Sequence, residues 1–168
     1  EYYARPASPA AYWGKNDQIL GGRDEQSGGT WLAVNRTGAF AAITNVRMPT
    51  SVDQPRSRGL IVTDYLTGNL PAHAFVDSLS DARYDYEGFN VLASDESSLV
   101  WYSNKLERPN ILSAGVYGLS NHLLDTPWPK VTQIKADFHE AQSLSKIALI
   151  EALFASLRNE DIAPDKEL

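Results

Sequence analysis

The sequence predicts an α+β fold built in layers. Three observations carry this: pairs of alternating apolar runs split by short polar turns, two short helical stretches between those pairs, and a change to helical periodicity over the last third of the chain. With 168 residues and 43% hydrophobic composition, the chain is expected to form one domain over 1–168 with a sizeable core.

The first stretch, Glu1 to Gly29, is crowded with Pro6, Pro9, Gly14, Gly21, Gly22, Gly28 and Gly29. It reads as loops with one short strand around Gln18 to Leu20. Trp31 to Val34 and Ala39 to Thr44 then alternate around Asn35-Arg36-Thr37-Gly38, a hairpin signal. A polar connection from Met48 ends near Arg56 and Ser57. After it, Ile61 with Tyr65 and Val62 with Leu66 pair at i,i+4, and Gly68 stands ready as a stop, which predicts a short helix.

A second short helix is expected over Ala72 to Leu79, with Phe75, Val76 and Leu79 on one face. Another hairpin runs from Phe89 to Asn104 around Asp95-Glu96-Ser97-Ser98, and a third is expected from Asn110–Leu112 and Gly115–Leu119. Thr126 as N-cap and Pro127 as first helical residue open a helix in which Val131, Ile134, Phe138 and Ala141 share a face. Ser145 caps the last helix, whose stripe Ile147, Ile150, Leu153, Phe154 and Leu157 is expected to be buried.

Several function classes fall away. Against 21 acidic residues the 15 basic ones are scattered, for a net charge of -6, so there is no footprint for nucleic acid. No apolar run approaches the roughly 20 residues that span a bilayer, and the expectation is a soluble, cytoplasmic chain. Zero cysteines exclude disulfides and thiolate ligands within these residues. His73, His122 and His139 lie far apart and outside any H-E-x-x-H pattern, so no metal or cofactor is expected. Ser120, His122 and Asp125 suggest a triad, but there is no nucleophile elbow and residues so close in sequence seldom reach the required geometry. For haem, Met48 and His122 are the available ligand types, and both read as incidental.

Two strand-end asparagines remain, Asn45 in AAITNVR and Asn121 in YGLSNHLLDTPW. A neutral amide at the rim of a sheet can donate to a developing oxyanion. Asn also ends strands by bonding nearby backbone, which accounts for both without any ligand.

The stretches GGTWLAVNRTGAFAAITNVR, SRGLIVTDYL, YEGFNVLASD and YGLSNHLLDTPWPKV resemble, in this order, the motifs of the NRDE family. That family is named for an Asn-Arg-Asp-Glu motif followed by an aromatic residue and Arg-Pro; Glu1-Tyr2-Tyr3-Ala4-Arg5-Pro6 looks like its last letter and sequel. The resemblance implies an N-terminal-nucleophile hydrolase-like fold, a four-layer αββα sandwich of antiparallel sheets flanked by helices, and a domain incomplete at both ends. It also implies an N-terminal Cys nucleophile that lies outside these residues, with Asn45 and Asn121 as oxyanion donors and Arg47, Trp31 and Arg58 as substrate-binding candidates. The expected partner is a small-molecule amide or hydrophobic ligand. The alternative is a non-catalytic haem, lipid or small-molecule binding module on the same scaffold.

Overall fold

A computed structural model describes residues 4–13, 18–47 and 55–160. The chain divides into two compact units, Glu1–Ala114 and Gly115–Leu168, each taken by itself below.

The first unit is a seven-stranded antiparallel sheet in the order β1-β2-β3-β4-β5-β6-β7. Its strands are β1 (Ala7–Trp13), β2 (Ile19–Asp24), β3 (Leu32–Asn35), β4 (Phe40–Asn45), β5 (Phe89–Ser94), β6 (Leu99–Ser103) and β7 (Asn110–Ile111). Between β4 and β5 come the helices α1 (Gly59–Thr67) and α2 (Ala72–Asp81), then a short 3-10 turn at Arg83–Asp85.

Strand alternation explains how the layers meet. Ala33, Ala41, Ile43, Phe89, Val91, Ala93, Val100 and Tyr102 form one cluster with Ile61, Val62, Tyr65 and Leu66 of α1 and Ala72, Val76 and Leu79 of α2. Both helices therefore cover the same sheet face. Phe89 stacks edge-on between Tyr86 and Tyr102, with centroids 5.7 Å and 6.0 Å away. The opposite face carries Leu20, Val34, Phe40, Ala42 and Leu92, all half-buried, and the exposed Leu32.

The central hairpins and the two short helices form where the patterns predict. At the β3–β4 turn, Gly38 sits at φ 85° and the Asn35 side-chain oxygen accepts from Thr37 N and Ala39 N at 3.1 and 3.0 Å. The same amide donates to Leu66 O at 3.1 Å, tying the turn to the end of α1. Gly68 stops α1 as expected, its N–H donating to Asp64 O and Tyr65 O.

The glycine-rich start differs from its loop reading, because it holds two full strands. Pro9 is tolerated in β1, an edge strand interrupted by a bulge between Ser8 and Ala11. In β2 a Cβ on Gly21 would lie 2.7 Å from that of Ala33, so glycine here permits close pairing with β3.

The second unit holds α3 (Pro129–Ala141) packed on α4 (Lys146–Leu157). Three expectations are corrected in this part of the chain. Gly115–Leu119 is not a strand; β7 instead pairs directly with β6. The first residue of α3 is Pro129, with Trp128 as the preceding extended residue, so the helix uses the second proline and not Pro127. Finally, Ile147, Ile150, Phe154 and Leu157 are exposed; only Leu153 of the expected stripe is half-buried. The helix is apolar nearly all round, so periodicity did not single out the side that meets α3.

Candidate functional site

Asn45 is the last residue of β4, exposed, and paired in register with Phe89. Alternation sets it on the same face as Ala41 and Ile43, the face that the helices cover. The ladder continues one step further: Val46 N–H donates to Gly88 O at 2.9 Å. Arg58 Nη1 donates to the same carbonyl at 3.1 Å and lies 3.4 Å from Glu87 Oε2. One backbone oxygen thus joins the residue after Asn45 to the guanidinium that precedes α1. Burial holds the Arg58 guanidinium below its usual pKa; Glu87 opposes this, and Arg5 adds to it by like-charge repulsion.

The start of α1 is held in place by a close backbone approach. Thr30 N–H donates to Gly59 O at 3.2 Å, and a Cβ on Gly29 would fall 2.4 Å from Gly59 C. Only glycine fits at position 29. The same end of the sheet holds the start of β1, where Arg5 binds the Asp24 carboxylate and donates to Ser27 Oγ at 2.9 Å. Asp24 is correspondingly pulled below the usual carboxylate range, chiefly by that Arg5 bond.

The other sequence candidates of this unit have distinct placements. Arg47 is exposed, two residues past Asn45, and has no hydrogen bond or ion pair among the described residues. Trp31 is 41% exposed, with its indole over Gly22, where a Cβ would come 3.2 Å from Cζ2. It caps the sheet surface rather than entering the core. Met48 lies outside the described residues.

Asn121 belongs to the second unit and is half-buried in a loop closed at its base. Asp125 N–H donates to Gly118 O, and Gly118 N–H donates to Asp125 Oδ1, each at 2.8 Å. Asp125 is the one described non-glycine residue with positive φ, at 56°, a conformation that Asp adopts more readily than most. Burial pushes its carboxyl up, but the Lys135 ammonium at 2.7 Å and the Gly118 N–H outweigh this and leave it below the usual range.

His122 meets Thr126 Oγ1 through Nδ1 at 2.9 Å, and that hydroxyl donates to Leu123 O at 2.8 Å. Trp128 lies beside the imidazole, with centroids 5.8 Å apart. Asp125 thus serves Gly118 and Lys135 and not His122, an arrangement unlike a hydrolase triad. Sequence reasoning missed the partners Glu87, Gly88, Gly29, Asp125 as a clamp, and Lys135. The Glu-Gly pair at the start of β5 was a usable signal for a close approach; nothing local marks Lys135.

The sequence model of the family described as Transport and Golgi organisation 2 matches residues 1–168. The human Transport and Golgi organization protein 2 homolog is 40% identical over 174 aligned residues, covering 96% of this chain. The chain belongs to this family. The Transport and Golgi organisation 2 family is the NRDE family, so the resemblance read from the sequence motifs holds. The mouse homolog is 37% identical over the same share of the chain, and the Drosophila melanogaster Transport and Golgi organization protein 2 is 30% identical over the whole of it. The chain spans 63% of the length of the human relative and 67% of the fly one. No helix among the described residues is long and apolar enough to cross a membrane.

Proposed function

We propose that the family protein is an N-terminal-nucleophile amide hydrolase acting on a non-peptide C–N bond. The observation that carries this reading is the rim end of β4: an exposed Asn45, followed by a residue bonded to a carbonyl that also holds a half-buried arginine. An upstream Cys thiolate attacks the substrate carbonyl, and the Asn45 N–H₂ faces the oxyanion that forms. The C–N bond breaks, the amine leaves with a proton, and water then releases the acyl group as the acid. Asn121 is the second donor that the resemblance implies. Arg47, Arg58 and Trp31 are the binding side chains of this reading.

The layer arrangement supports the αββα fold that accompanies this chemistry. Both helices of the first unit cover one sheet face, and the other face presents apolar side chains suited to a second sheet. In this reading both units are parts of one family domain, which the family match over 1–168 supports.

The test uses the full-length protein. Intact mass and N-terminal sequencing are expected to show a mature chain that begins with Cys and a free amine. Asn45→Ala is expected to lower amide turnover by about a hundredfold or more, and unchanged turnover removes Asn45 from the mechanism. The second reading, a binding module for a hydrophobic ligand, draws on the exposed apolar stripe of α4. It gains if the first residue is blocked and no acyl-enzyme forms.

A further inference from the structure

Arg58 has more donors than its neighbours use. A guanidinium offers five N–H groups, and its Nε and Nη2 share the edge opposite Nη1. Gly88 O and Glu87 Oε2 both meet Arg58 at Nη1. Among the described residues, Nε and Nη2 bond nothing. The side chain is 25% exposed, so Arg58 is packed against the fold while part of it still meets solvent. The other arginines of the rim differ: Arg5 is committed to Asp24 and Ser27, and Arg56 lies 3.9 Å from Asp85 and over the Tyr86 ring.

The local charge balance selects among anions. Arg58 and Glu87 together are neutral, and Arg47 adds one positive charge two residues past Asn45. A phosphate dianion concentrates two charges on one group beside the Glu87 carboxylate, whereas each carboxylate group brings one charge and matches the open fork with two parallel bonds. We propose that the Nε–Nη2 edge of Arg58 anchors a carboxylate, and that the site beside Asn45 accordingly takes amides bearing a carboxylate group. The amide half of this statement rests on the hydrolase reading; carboxylate capture stands without it. Arg47 supports the anion from the rim, and the Thr30–Gly59 bond keeps Arg58 from swinging away with its helix.

The test is a titration of the full-length protein with glutarate, followed through the arginine side-chain Nε–H signals in a 15N-labelled sample. The Arg58 signal, assigned by its loss in Arg58→Lys, is expected to shift saturably. Neutral glutaramide is expected to leave it unmoved, and inorganic phosphate to bind more weakly than glutarate. Arg58→Lys keeps the charge but lacks the fork, so it is expected to weaken glutarate binding by roughly tenfold. An Arg58 signal indifferent to glutarate, equal binding by Arg58→Lys, or a preference for phosphate each overturns the proposal. Should Arg58→Lys fail to fold, the Arg58 signal is assigned through its bonds to the backbone by triple-resonance spectra, and the glutarate and glutaramide arms on the unaltered chain still decide. Asn45→Ala is expected to leave the titration intact, so failed turnover and failed carboxylate capture are separate outcomes.

Discussion

The carboxylate of Asp125, at φ 56°, lies 2.7 Å from Nζ of Lys135 while also receiving the Gly118 N–H. The pair fastens the loop that carries Asn121 to the side of α3. Asp125→Ala removes both contacts and leaves a Cβ residue in the left-handed region, so a loss of about 1–3 kcal/mol is expected. Asp125→Asn keeps the tolerated conformation and the acceptor, and Lys135→Met deletes only a partly exposed ion pair; each is expected to cost about 1 kcal/mol or less. Urea denaturation of the three variants checks the order, and equal losses would remove the clamp from the account.

Asp95 caps α2 from across the fold. Its Oδ2 accepts the Ala72 N–H at 2.7 Å, and Oδ1 accepts from Ser97 Oγ, Ser97 N and Ser98 N. The Ser97 hydroxyl, then the Ala72 and Ser97 N–H groups, hold this carboxyl well below the usual range. A depressed folded pKa contributes stability that is complete above the unfolded value near 3.9 and is lost as pH falls toward the folded one. Asp95→Ala is expected to cost about 1–3 kcal/mol at neutral pH, with the difference from the unaltered protein shrinking in acid. Denaturation midpoints at pH 7 and pH 3 measure both.

Tyr65 makes the opposite case at alkaline pH. Its hydroxyl donates to Ser94 O at 2.9 Å, and burial, aided by Asp95, pushes its pKa up to about 12. A raised folded pKa gives stability that is present below the unfolded value near 10 and lost as pH climbs through the folded one. Burial raises Tyr86 and Tyr102 as well, so absorbance at the phenolate band is expected to show a late-ionising group of tyrosines, and Tyr65→Phe to lower its amplitude by one tyrosine's share. A normal titration in the folded chain would contradict this.

The core and the last helix are expected to respond very differently to substitution. Phe89 is fully buried between two tyrosines, so Phe89→Ala should cost about 3–5 kcal/mol. Ile147 is 73% exposed on α4, and Ile147→Lys should stay within about 0.5 kcal/mol. Thermal unfolding of the two variants separates the cases, and a large loss at Ile147 would mean that this face is covered.

Local pattern read the fold well where one rule acted alone. Alternation gave β3 to β6, and i,i+4 pairs with Gly68 gave α1. It failed where a partner strand decides: β1 and β2 carry prolines and glycines that look like breakers, yet an edge position and close pairing with β3 accommodate them. The site was legible in its ends but not its joins. Asn45 and Arg58 stood out as residue types, whereas the Gly88 carbonyl that connects them depends on a register across more than forty residues of chain, which no local pattern encodes.

The strand order also has a kinetic meaning. Five of the six strand pairings join neighbours linked by short connections, and each can zip as its second strand arrives. Only β4 with β5 must wait until the intervening chain, with both helices, has folded back. Closing that long segment carries the largest loop entropy in the unit, so it is expected to be the slow step of folding. Asn45, Gly88 and Arg58 meet across that seam, so the rim is expected to be among the last features assembled.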